Sequence, residues 1–189
     1  MVVGRSEAYM WLDFYHDELL STRIQNGKFF NQETNPFYRL DNVGEYKYSP
    51  YKVLWKEQAG SMSAVVVSSY YKSIPNADVA LFTEDKIIVV DSKVLMLALY
   101  NENEAFFVCG IMNAPNIIKV VDGYAVSTNR GIDVLKYIAI PKYNADNPLH
   151  EKIAELSKSI HALTREAKPI ADQEAALSDA VYELFGGKS

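Results

Sequence analysis

The 189-residue chain is 49% hydrophobic and 23% charged, enough for one ordinary core and an appendage, which excludes a disordered tail or a disulfide-stapled miniprotein. Its lone cysteine, Cys109, and three scattered histidines, His16, His150 and His161, exclude a disulfide framework and a zinc set, so no metal is expected. A net charge of −5 argues against a self-sufficient basic binder of nucleic acid, although Glu151, Glu155, Glu166, Asp172, Glu174, Asp179 and Glu183 concentrate the acid in the C-terminal part.

In chain order, Ser6–Ile24 reads as a helix. Ser6 is its N-cap, Leu12, Tyr15 and Leu19, with Phe14 as a further candidate, form its apolar face, and Asn26-Gly27 ends it. The N-terminus has no signal-like apolar block, and no run of about 18 uncharged apolar residues follows, so a cytoplasmic chain without a membrane partner is expected. Residues 28–40 are irregular and aromatic, and contain Asn35-Pro36-Phe37-Tyr38.

The stretch Asp41–Glu57 turns at Asn42–Gly44 and then runs extended, interleaving aromatics and lysines: Tyr46, Lys47, Tyr48, Tyr51, Lys52, Trp55, Lys56. Alternation puts Tyr51, Val53 and Trp55 on one face and Lys52, Leu54 and Lys56 on the other. The first face suits a core, and the second offers cations to solvent or to phosphate. Pro50 lacks a ladder donor, which predicts an edge strand or a break at Ser49-Pro50.

Ala64–Ser69 reads as a buried β-branched strand, Lys72 as a loop lysine beside two tyrosines, and Ile87–Val90 and Val94–Tyr100 as further strands. Asp85 and Asp91 fit turn positions better than a catalytic carboxylate pair. Asn101 caps a heavily apolar helix, Glu102–Asn113, which Pro115 ends before a short helix over Asn116–Val121. Ser127, Thr128, Asn129 and Arg130 follow as four hydrogen-bonding side chains between Gly123 and Gly131; Arg can pair with guanine and Asn with adenine. Val134–Ile140 reads as a strand stopped by Pro141. Asn147 and Pro148 then open a helix in which Leu149, Ile153, Leu156, Ile160 and Leu163 make a heptad seam about 21 Å long. After Pro169, Asp172–Phe185 is the last helix.

The sum is an α+β fold: a mixed, mostly antiparallel sheet with short packed helices, flanked by an N-terminal helix and a C-terminal helical hairpin. The expected division is a connecting helix (1–27), an α+β body (28–143) and a helical segment (144–189).

The run Pro36-Phe37-Tyr38…Asn42-Val43-Gly44-Glu45-Tyr46…Pro50-Tyr51-Lys52-Val53-Leu54-Trp55 resembles the target-recognition region of restriction–modification DNA adenine methyltransferases, especially type IIG and TaqI-like enzymes. The helix Phe107-Val-Cys-Gly-Ile-Met-Asn-Ala-Pro115 and the segment Tyr137-Ile-Ala-Ile-Pro141 resemble later parts of the same domains, which also occur in type I specificity subunits. The resemblance implies a DNA sequence-recognition module, not an enzyme on its own. Its partners would be double-stranded DNA and a separate methyltransferase or restriction catalytic domain or subunit, to which the N-terminal helix would join it. S-adenosylmethionine would bind in that partner and no cofactor in this chain. The DNA-contacting residues would be Tyr46, Lys47, Tyr48, Lys52, Lys56, Lys72, Ser127, Thr128, Asn129 and Arg130.

Two alternatives stand beside it. Asn35-Pro36-Phe37-Tyr38 is similar to the Asn-Pro-Pro-Tyr motif with which adenine methyltransferases hold a flipped base, which would make the chain a small S-adenosylmethionine-dependent methyltransferase. Phe37 stands where the motif has its second proline, and no glycine-rich cofactor turn follows a strand. The other is a scaffold that associates with itself or with partners through the C-terminal helices.

Overall fold

The computed structural model describes residues 7–23, 30–39, 44–68, 70–71, 86–90, 93–124, 131 and 133–187. The chain divides into two compact units, Met1–Gly44 and Glu45–Ser189.

In the first unit the predicted N-terminal helix is broken in two, α1 (Glu7–Phe14) and α2 (His16–Thr22). The break is at Tyr15, whose ψ of 18° leaves the helical region and whose N–H reaches back three residues to the Leu12 carbonyl. Neither helix buries a residue completely. Tyr9 and His16 lean on an aromatic pair, with Phe37 at 4.5 Å from the His16 ring and Tyr38 at 5.5 Å from the Tyr9 ring. Arg23 ties the end of α2 down, donating to the Arg39 carbonyl at 2.7 Å and lying 4.7 Å over the buried Phe30 ring.

The second unit is built on a three-stranded antiparallel sheet in the order β2 (Ala64–Ser68), β1 (Tyr51–Lys56), β5 (Val94–Leu99). A two-stranded ladder pairs β3 (Tyr70–Tyr71) with β4 (Lys86–Ile87), so the predicted Ile87–Val90 strand pairs only at its start. In the main sheet Val53 lies between Val66 and Leu97, and Trp55 between Ala64 and Leu95. This face is the core, and helix α3 (Glu102–Asn113) packs on it. The Asn101 side chain caps α3 as expected, accepting the Glu104 N–H at 3.0 Å.

Helix α4 (Pro115–Tyr124) follows, then α5 (Asp133–Ile138), α6 (Pro148–Arg165) and α7 (Ala171–Leu184). Asn147 caps α6 through the Leu149 N–H at 2.9 Å, with Pro148 in the first turn. The helices α6 and α7 form the expected hairpin, turned by Ala167 at a left-handed φ of 52°. Leu149, Ile153, Leu156 and Ile160 of the heptad seam pack into the chain's own core. The fully enclosed stripe of α6 is His150, Ile153, Ala154 and Ser157, and it faces α3 at Gly110. The fold is α+β, with helices at its N-terminus and a helical pair at its C-terminus.

Four readings are corrected. First, β1 is the central strand and not an edge, because Pro50 falls just outside the ladder, where its missing donor costs nothing. Second, Glu45–Tyr48 is a single 3-10 turn rather than a strand. Third, residues 133–138 are helical. Leu135 and Ile138 turn inward three residues apart while Tyr137 stays 70% exposed, a spacing that alternation cannot produce. Fourth, Lys52 is enclosed rather than presented to solvent. Among the described residues no single helix is long and apolar enough to cross a membrane.

Candidate nucleic-acid interface

The 3-10 turn before β1 holds two rings outward, Tyr46 at 44% and Tyr48 at 57% exposure. Between them Lys47 is half-buried, its ammonium 3.5 Å from the Val90 carbonyl. Along β1 the cations diverge. The ammonium of Lys52 donates to the Ser49 carbonyl at 2.9 Å, its cross-strand neighbours are Val67 and Ala98, and desolvation holds its pKa below the usual lysine range. Lys52 therefore cannot meet a phosphate, and it serves to close the turn that carries the tyrosines. Lys56, at the other end of the strand, is exposed.

Antiparallel pairing adds two residues that a linear reading misses. Tyr51 lies opposite Leu99, so Tyr100, 71% exposed, comes out at the tyrosine end of the sheet. Lys56 lies opposite Val94, so the exposed Lys93 comes out at the lysine end, its carbonyl accepting the Glu57 N–H. The sheet thus has rings at one end of β1 and two cations at the other, about 17 Å away at the rise of an extended strand. Lys72 and the loop residues Ser127, Thr128, Asn129 and Arg130 lie outside the described residues, as do Asp85 and Asp91. The charge of α7 is of the opposite kind: it carries Asp172, Glu174, Asp179 and Glu183 and no lysine or arginine.

The chemistry-bearing groups elsewhere are committed to structure. Asn35, the residue a methyltransferase would aim at its target amine, accepts the Asn31 N–H through Oδ1 at 3.0 Å, and so closes its own loop. Cys109, Asn113 and His161 converge in the manner of a cysteine-hydrolase set, with Sγ 3.9 Å from His161 Nε2 and 3.4 Å from Asn113 Nδ2. The thiol is completely enclosed, and burial pushes it up to about 12, the opposite of an activated nucleophile.

Asn113 and His161 act instead on strand β2. The Asn113 amide donates to the Ala64 carbonyl at 2.7 Å and accepts the Ala64 N–H at 2.8 Å. His161 Nε2 accepts the Val66 N–H at 3.1 Å, so Nδ1 carries the proton and donates to the Ser157 carbonyl at 2.8 Å. The outward backbone at Ala64 and the outward N–H of Val66 on this edge strand are thereby satisfied by side chains. A cleft of about 390 Å³ opens beside it, lined by Met62, Ile118, Ile160 and Leu177 with Arg165 and Glu174. A second network joins α3 to α6: Tyr143 donates to Glu151, Asn103 donates to Glu151, and Lys158 donates to Asn103. Partial burial, and then the bond to Glu151, hold the Tyr143 hydroxyl above its usual range. Among the described residues no group of three His, Cys, Asp or Glu side chains could hold a metal ion.

Compared with models of known protein families, with curated proteins and with solved structures, the chain matches none.

The histidines give a pH dependence. Desolvation lowers the pKa of both His150 and His161, and each accepts a backbone N–H, from Asn144 and Val66 respectively. Unfolding lets both take up protons near an ordinary histidine pKa of about 6.5. Stability is therefore full above that pH and is lost as pH falls below it, by at most about 1.4 kcal/mol per pH unit for each ring. Urea midpoints should be lower at pH 5.0 than at pH 7.5. Equal midpoints would mean that the rings are protonated in the folded chain.

Proposed function

We propose that this chain is a DNA target-recognition module which positions a separate adenine methyltransferase or restriction domain, and that the β1–β5 surface is where it meets the duplex. The observation that carries the reading is that strand pairing brings the exposed cations Lys56 and Lys93 to one end of β1, with the exposed rings of Tyr46, Tyr48 and Tyr100 at the other. Lysines neutralise phosphates and set the register on the backbone, while tyrosines offer apolar area with a hydroxyl that can donate or accept. Base discrimination would fall to the side chains of Ser127, Thr128, Asn129 and Arg130, at about 1–3 kcal/mol for each good bidentate pair. The acidic α7 repels phosphate and so keeps DNA to the sheet side of its own unit. The partner would bind S-adenosylmethionine and take the adenine out of the stack.

The test is the salt dependence of duplex binding by the chain. Each phosphate contact contributes about 0.9 to the slope of log K against log salt, so Lys56→Ala with Lys93→Ala should flatten it by up to about two units. Lys52→Met should leave the slope alone. A slope unchanged in the double variant would remove these lysines from the interface.

A further inference from the structure

Helix α1 is apolar on two opposite sides. Its inner side, with Tyr9, meets Phe37 and Tyr38. Its outer side sets Met10, Trp11 and Phe14 one turn apart, and these are 55%, 65% and 81% exposed. Tyr15 extends the strip, its ring 5.2 Å from Trp11 and 5.0 Å from Phe14. A helix with apolar residues on both of its sides is ordinarily covered on both, and aromatic rings packed edge to face in the open are the common mark of a protein-binding face.

Charge decides what covers it. From Glu7 to Thr22 the two helices carry Glu7, Asp13, Asp17 and Glu18, with no lysine or arginine. Glu7 lies three and four residues before Met10 and Trp11, on the same face of the helix, and Asp17 and Glu18 put two more acids in the first turn of α2. Duplex DNA would be repelled here, and so would a second copy presenting the same acids. We propose that the Met10–Trp11–Phe14 strip is the docking site for another protein whose surface is an apolar groove or helix bordered by lysine and arginine. The mode is an amphipathic helix laid on an apolar surface, with the acids fixing its orientation. The inference stands whether or not the sheet binds DNA.

Two synthetic 20-residue amphipathic helices test it by calorimetry against the full chain, one with a leucine stripe bordered by lysines and the other with the same stripe bordered by glutamates. The lysine peptide should bind at one site per chain and at least tenfold tighter than its twin. Trp11→Ser with Phe14→Ser should weaken it at least tenfold, and Tyr182→Ser, on an exposed ring of α7, should not. Glu7→Lys with Glu18→Lys changes only exposed charges and should reverse the preference between the peptides. Equal binding of the two peptides, or undiminished binding to the Trp11/Phe14 variant, would overturn the proposal. So would a chain dimer that disappears in that variant, since the occupant would then be a second copy.

Discussion

Gly110→Val is expected to cost the fold about 2–3 kcal/mol, at the upper end of what overpacking a core exacts. At Gly110 α3 and α6 are in close contact. A Cβ built on it would stand 3.1 Å from Ile153 Cγ2, 3.1 Å from Ser157 Cβ and 3.2 Å from the Ile153 carbonyl oxygen. The last of these is backbone and cannot rotate away. Alanine at the same position would gain about 1 kcal/mol of helix propensity, which roughly offsets a few tenths of an ångström of displacement. Valine adds two methyl groups beyond the Cβ that the site can just accommodate, and the helices must move apart. Urea unfolding should show a midpoint lower by about 1 M for valine at an ordinary slope, against little change for alanine. A valine variant as stable as the parent would mean that the helices are not packed at this distance.

Asn113→Leu is expected to cost about 3 kcal/mol, although it removes no volume worth counting. Leucine cannot replace either bond to Ala64, and each buried backbone group left without a partner costs about 1–3 kcal/mol. His161→Leu orphans only the Val66 N–H and should cost about half as much. Hydrogen exchange separates the two, since the Ala64 amide should lose protection in the first variant and the Val66 amide in the second. A loss well under 1 kcal/mol at Asn113 would show that water takes over its role from the adjoining cleft.

What could be read from the linear chain was the chemistry that acts over short spans. The caps at Asn101 and Asn147, Pro148 in the first turn of α6, and the apolar face of α3 all follow from residues within about one or two turns of each other. The readings that failed depended on a neighbour distant in sequence. Alternation puts Lys52 on the outer face because it assumes that one face of a strand is wet, and at this position the side chain is covered. Val134, Ile138 and Ile140 are β-branched and suggest a strand over 134–140, a weaker guide than the inward spacing of Leu135 and Ile138. The bond from Val66 to His161 spans 95 positions and that from Ala64 to Asn113 spans 49, so no local pattern announces either. The candidate interface divides in the same way. Tyr46, Tyr48 and Lys56 were visible in one stretch of sequence, whereas Lys93 and Tyr100 became visible only once β5 was laid against β1.

The side chains that occupy the outer rim of β2 also give the main sheet a direction of growth. A strand offered to that rim would have to displace the amide of Asn113 and the ring of His161, both already bonded to it. Among the described residues β5 pairs on one side only, so a strand added to the main sheet, from a bound peptide or from another molecule, would meet less obstruction there than at β2. Growth of the main sheet by strand addition would therefore run outward from β5 rather than from β2.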